Sequence, residues 1–320
     1  MKIGVLLNNF GGFPETGRGA LACIDLARHA ERLGFDSVWV TDHVVLPLDR
    51  KTPYPHNASG LFPYTWEQDI FEPITLMAAL ATATERVEIG VSVLVIPYRH
   101  PLLTAKMLAT ADQLSQGRII LGAGVGWLRE EFEALGLPEE VYEHRGSVTV
   151  DYLRAMQSAW TAPSGASHKG SFVEFGDIGT RPLPFRKPHP PTWIGGQGER
   201  ALKRTVDLGQ GYLAISSNPA DMARDTNRLR ALCAEAEREP ESLEVGHIDG
   251  LILADDSVEA DGASLVGSNT KILDELSAYA DSGLTHLIAG ISRFGDMSFD
   301  GALGALEEVA AEILPKARAL

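Results

Sequence analysis

Along the chain, short runs that are apolar at nearly every position alternate with longer stretches that are apolar only every third or fourth residue. The runs are IGVLLN (3–8), SVWVTD (37–42), VEIGVSVLV (87–95), RIILGAG (118–124), TWIGG (192–196), GYLAIS (211–216), LEVGHIDGLILA (243–254) and HLIAGI (286–291). A strand with one wet face would alternate, so nearly unbroken apolarity predicts a parallel sheet covered on both faces. The intervening stretches predict helices over 20–34, 68–84, 101–115, 129–160, 197–208, 219–238, 269–282 and 300–318. In the first of them Ala20, Ile24, Ala27, Ala30 and Leu33 share a face, and Gly34 follows as a stop. Strand then helix, eight times, predicts an α/β chain folded as a single (β/α)8 TIM barrel over 1–320.

Two inter-strand segments are longer than a connection needs. The gap 125–191 contains SHKGSFVEFGDIGTRPLPFRKPHPP, whose glycines and prolines predict a small hairpin and loop, over 163–190, inserted after the fourth strand. The second long loop, 44–67, follows the second strand, and structureless loops of this length in a compact domain usually serve function.

Composition narrows the function classes. The chain has 320 residues, 44% hydrophobic and 22% charged, a soluble globular balance, and a formal net charge of −15 that repels polyanions and excludes nucleic acid as a partner. Cys23 and Cys233 are too few and too far apart for a disulfide framework or a zinc site, and read as core thiols of a reducing compartment. The apolar run in MKIGVLLNNF is too short for a signal peptide and no later segment reaches membrane-spanning length. The expected setting is therefore cytoplasmic, with a small molecule as partner and no membrane.

Barrel strands deliver their C-terminal ends to one mouth, where βα loops build the active site. That rule places Asp42 and His43 at the mouth, with Asn8 and Asn9 from the first strand and Ser92 from the third. An imidazole there suits proton transfer, although it could equally pack and end the strand. Two glycine clusters open onto the same face: Gly122, Gly124, Val125, Gly126 and Trp127 after the fourth strand, and Gly195, Gly196, Gln197 and Gly198 after the fifth. Each precedes a helix and could admit a phosphate to free N–H groups, or could simply turn the chain. Arg200, Lys203 and Arg204 follow the second cluster, either as anion partners or as solvated helix charges. Tyr54, Phe62, Tyr64 and Trp66 crowd the loop after the second strand, and with Trp127 form either a substrate wall or a packing cluster. Asn9, Tyr64 and Trp66 are the candidate substrate contacts. No spacing of His, Cys, Asp and Glu matches a metal site.

The segments SVWVTDH (37–43), 84–136 and 181–213, with the start of the chain, resemble the luciferase-like monooxygenase superfamily of flavin and deazaflavin barrels, and within it the branch that uses coenzyme F420. The resemblance implies that His43 lies beside the reactive carbon of the deazaflavin and gives or takes a proton, with Asp42 beside it. It implies a strand-three bulge with a non-proline cis peptide between Ser92 and Val93 beneath the ring. The phosphate tail would lie on Gly124, Val125, Gly126 and Trp127, and on Gly195, Gly196 and Gln197. Sugar-phosphate dehydrogenases of this branch place a catalytic glutamate where this chain has Trp127, which argues against a sugar phosphate and leaves the proton partner of His43 open. The implied reaction is hydride transfer between F420 and a small organic substrate by a homodimer. The alternatives are a two-component monooxygenase using reduced FMN, and a flavin-binding barrel without catalysis.

Overall fold

A computed structural model describes residues 1–55, 59–215, 218–259 and 265–320. The first half alternates as expected: β1 (Lys2–Leu6), α1 (Ala20–Leu33), β2 (Ser37–Val40), α2 (Pro73–Ala83), β3 (Glu88–Val95), α3 (Pro101–Ser115) and β4 (Ile119–Gly124). Three helices follow, α4 (Arg129–Ala134), α5 (Glu139–Glu143) and α6 (Arg145–Thr161), then a hairpin of β5 (Ala166–Lys169) and β6 (Glu174–Ile178). The second half runs β7 (Thr192–Gly196), α7 (Gly198–Leu208), β8 (Gly211–Ala214), α8 (Pro219–Glu235), β9 (Glu244–Leu253), β10 (Leu265–Gly267), α9 (Asn269–Asp281), β11 (His286–Arg293), α10 (Phe299–Glu312) and α11 (Leu314–Ala317).

The strands pair in the order β9-β11-β1-β2-β3-β4-β7-β8, and β8 returns to β9, closing an eight-stranded parallel barrel. The β5–β6 hairpin is separate and antiparallel, on the segment expected to be inserted. Asp151 of α6 anchors it, accepting from the amides of Phe172 at 2.6 Å and Val173 at 3.2 Å and bonding His168 Nε2 at 2.7 Å.

Two apolar cores result. Outward-facing strand residues such as Ile3, Val38, Ile89 and Leu121 pack with the inner faces of the helices. Inside the barrel, Trp39, Ile120, Trp193, Leu213 and Ile288 form a second cluster, with the two indoles 5.4 Å apart. Gly90 makes room for it, because a Cβ there would lie 2.2 Å from the Trp39 ring. The barrel is thus plugged by side chains below its mouth, as a packed core rather than a pore.

Three expectations shift. The helix expected over 129–160 is three helices, because Gly136 turns left-handed at φ +71 and Pro138 follows it. The helix expected from 68 starts at Pro73, where the Glu72 carboxylate caps the Thr75 amide. β10 extends the sheet beside the last three residues of β9, and three residues are too few for an apolar pattern to announce. Ser216, the end of the sixth expected run, and 56–58 of the long loop lie outside the described residues.

Candidate active site

The end of β2 is fastened on both sides. Asn9 donates from Nδ2 to the carbonyls of Thr41 at 2.8 Å and Phe71 at 3.2 Å, and its Oδ1 accepts from the Thr41 amide at 2.9 Å and hydroxyl at 3.1 Å. Both donors and both lone pairs are engaged, so Asn9, expected to meet substrate, instead staples β1 to β2. Asp42 is 4% exposed. Its carboxylate accepts from the Val95 amide at 2.9 Å and from Arg99 through Nη1 at 2.8 Å and Nη2 at 2.9 Å, and Arg99 also donates to Glu72 at 2.9 Å. Burial raises the Asp42 carboxyl, against the pull of Arg99 and the Val95 amide. The side chain expected against the cofactor is thereby turned inward, and joins the end of β2 to β3 and the segment before α3.

His43 stands free of this clamp and has a different partner. Its Nδ1 lies 2.6 Å from Glu131 Oε2. Glu131, fully buried in the first turn of α4, also accepts from the Tyr98 hydroxyl at 2.9 Å and from the amides of Val44 at 2.6 Å and Val45 at 3.2 Å. A carboxylate only accepts, so the proton of the neutral imidazole sits on Nδ1 and Nε2 keeps its lone pair. Burial, and then Glu131, push the Tyr98 phenol well above its usual range, which keeps it a donor. An orienting acid behind an imidazole is the arrangement that presets a general base or acid. Sequence reading missed Glu131 because 88 residues separate it from His43; its position in the helix after strand four was the available signal.

Rings close over the imidazole. Phe10, Phe62 and Trp127 have centroids 5.3, 5.1 and 6.2 Å from that of His43. Tyr64 packs on Phe10 at 4.9 Å and Tyr54 on Trp127 at 5.2 Å. Trp66, expected beside them as a substrate contact, is 57% exposed and shares no ring contact among the described residues.

Strand three carries the bulge that the resemblance implies: the Ser92–Val93 peptide is cis, and the register with β4 shifts between Val91 and Leu94. Val93 explains two glycines. A Cβ on Gly124 would lie 2.3 Å from Val93 Cγ2, and one on Gly195 2.7 Å from Val93 Cγ1. Packing against Val93 is therefore enough to require glycine at 124, whether or not its backbone also meets a phosphate. The rest of the first cluster suits a phosphate poorly. Arg145 and the Tyr142 hydroxyl cover the carbonyls of Gly126 and Trp127, and Glu130 and Glu131 place two carboxylates in the first turn of α4.

The second cluster is better disposed. Gln197, the N-cap of α7, makes no side-chain cap and reaches instead to the Ile215 carbonyl at 2.8 Å. Gly198, at φ +72, has open space where a Cβ would stand. Arg204 Nε is buried without a hydrogen-bond partner among the described residues, while Lys203 pairs with Glu199 at 3.3 Å. Ser92 Oγ, below the mouth, is likewise buried and unpartnered among those residues. Unmet buried polar atoms at the bulge and at α7 fit a ligand with a polar ring edge at one end and an anion at the other.

The luciferase-like monooxygenase family model matches residues 1–263. The chain belongs to the luciferase-like monooxygenase family. An uncharacterized protein of Mycobacterium tuberculosis is 28% identical over 290 residues, covering 90% of this chain and 92% of its own. An FMNH2-dependent dimethylsulfone monooxygenase of Pseudomonas putida is 29% identical over 210 residues, 66% of this chain and 54% of that one. An F420-dependent glucose-6-phosphate dehydrogenase of Amycolatopsis mediterranei is 29% identical over 203 residues, 63% of this chain and 55% of that one. Among solved structures, an F420-dependent secondary alcohol dehydrogenase in complex with an F420-acetone adduct superposes with a TM-score of 0.80 at 18% identity, covering 99% of both chains. The relatives thus include both an F420-dependent dehydrogenase and an FMNH2-dependent monooxygenase.

Proposed function

We propose that this protein is an F420-dependent oxidoreductase in which His43 exchanges the proton that accompanies hydride transfer to or from a small organic substrate. The observation that carries the reading is the Glu131–His43 pair: a buried carboxylate fixes Nδ1–H and leaves Nε2, which carries no hydrogen bond among the described residues, to give or take a proton. When bound, the deazaflavin supplies a carbon that carries hydride in two-electron steps.

The chain's own residues then divide the work. Ser92 and Val93 at the bulge support the ring, and Gly195, Gly196, Gln197 and the head of α7, with Arg204, hold the phosphate. Val125, Gly126 and Trp127 frame the mouth. The collar of Phe10, Phe62 and Trp127 leaves His43 only 8% exposed and so limits the access of water to it. Trp127 supplies no proton, so sugar phosphates are set aside as substrates, although one relative acts on one.

The second reading, an FMNH2-dependent monooxygenase, is favoured by the dimethylsulfone relative at the same level of identity. Native mass spectrometry after incubation with F420 and with FMN separates the two. Retained FMN with oxygen consumption supports the second, and retention of either cofactor without turnover over a broad substrate panel would leave a non-catalytic flavin-binding barrel.

A further inference from the structure

One cation at the mouth has no ion-pair partner among the described residues. Arg50, on the loop leaving β2, lies with its guanidinium carbon 5.5 Å from the centre of the Phe62 ring, and Phe62 in turn packs 5.1 Å from His43. Its Nη1 is shut off from solvent and has no hydrogen-bond partner among the described residues. Neither neighbouring acid forms an ion pair with it among the described residues: Asp49 pairs with Lys51 at 3.9 Å, and Glu130 accepts through Oε1 from the amides of Lys51 at 2.7 Å and Thr52 at 3.0 Å, while its Oε2 is buried and likewise unpartnered. In a chain with 43 acidic residues against 28 basic ones, an arginine left over is conspicuous. Arg99, Arg118 and Arg238, also partly buried, each make several hydrogen bonds.

A guanidinium cannot shed its charge, and buried polar groups in folded proteins are bonded. Its planar fork matches a carboxylate, and the cation–π contact with Phe62 holds it at the mouth. Resting on the reading of the His43 mouth as the active site, we propose that Arg50 receives the carboxylate of the substrate, and that the substrate is a carboxylic acid with an apolar body. The argument for the apolar body is position: a ligand whose reacting atom lies at His43 Nε2 and whose anion lies at Arg50 must span the Phe62 ring, beside Tyr64 and Trp127. A cofactor phosphate is the lesser candidate, since Arg204, in α7 behind the second glycine cluster, has a buried Nε with no partner among the described residues to offer it.

The test uses a matched pair of probes, cyclohexanecarboxylate and cyclohexanecarboxamide, whose binding is followed by ligand-observed NMR with and without bound cofactor. Wild type, Arg50→Lys, Arg50→Gln and Glu130→Gln are compared, with F420 and FMN affinity measured for each. The expected result is that wild type prefers the acid by about tenfold or more, the scale of one charge-assisted pair. Arg50→Gln abolishes the preference, Arg50→Lys keeps part of it, and cofactor affinity stays within a few fold. Equal binding of acid and amide by wild type, or no binding of the acid up to its solubility limit, overturns the proposal. So does weakened cofactor binding in Arg50→Gln with the acid preference intact, which would assign the anion to the cofactor. Equal losses of melting temperature in Arg50→Gln and Glu130→Gln, with the preference unchanged, would make Arg50 a structural partner of Glu130 and also overturn it. Absence of any cofactor binding would sink the oxidoreductase reading instead, and the acid preference measured without cofactor would still report on Arg50.

Discussion

Glu131→Gln isolates the pair on which the site depends. The carboxylate accepts four hydrogen bonds: from His43, Tyr98, Val44 and Val45. A glutamine keeps one oxygen, enough for two of these donors, and turns an amide N–H2 toward the other two. Each buried donor left facing a donor costs about 1–3 kcal/mol, so the variant loses roughly 2–4 kcal/mol after local relaxation. For a chain of this size that lowers the melting temperature by roughly 3–6 °C. The effect on chemistry is separable. Without a carboxylate behind it, the imidazole no longer has a reason to hold its proton on Nδ1, and turnover falls by roughly 10²–10⁴, with cofactor affinity within a few fold. Nitrogen-15 NMR of labelled histidine reads the tautomer without any substrate. Wild type should show His43 protonated at Nδ1, and Glu131→Gln a mixture of tautomers. Glu130→Gln is the control, since it touches the same loop at Lys51 and Thr52 but not His43. An unchanged His43 tautomer and unchanged turnover in Glu131→Gln would refute the reasoning.

Three further outcomes are expected. His43→Ala should bind cofactor within a few fold of wild type yet turn over roughly 10²–10⁴ more slowly in steady-state assays, and wild-type turnover would make the imidazole a packing residue. Gly90→Ala drives a methyl into the Trp39 ring, 2.2 Å away, and should cost about 1–3 kcal/mol in denaturant unfolding, whereas a neutral result would mean that the inner core can yield. His286, fully buried below the mouth and bonded to Ser37 Oγ at 2.8 Å, has its pKa lowered by burial to about 4. The unfolded chain binds that proton near pH 6.5 and the folded chain does not, so the stability is fully present above pH 6.5 and declines as pH falls toward about 4, by roughly 3 kcal/mol in all. Unfolding free energies measured across this window should show the slope in wild type and a shallower one in His286→Asn.

The barrel was legible because its signal is repeated and local: eight apolar runs fall within a residue or two of eight barrel strands, and each needs only its own sequence to be seen. His43 was legible by the same logic, from the end of a strand. What decides its chemistry was not. Glu131 looks like any acid in an amphipathic helix, and its meaning comes from a bond across 88 residues that closure of the barrel creates. The glycines were half legible for a related reason. Gly124 and Gly195 sit in phosphate-like contexts, but the bulky neighbour that also demands glycine at both, Val93, belongs to a third strand. Asn9 and Asp42 show the converse: polar residues at a barrel mouth read as ligand contacts, and only the network reveals that the protein itself has taken up their hydrogen-bonding groups.

The central claim, hydride chemistry on a deazaflavin beside His43, is tested most directly by titrating the purified protein with F420 and with FMN and following fluorescence quenching, with dissolved oxygen monitored alongside. The account predicts that F420 binds more tightly, that His43→Ala preserves this preference, and that no oxygen is consumed. Tighter binding of FMN, with substrate turnover that depends on oxygen, would contradict it.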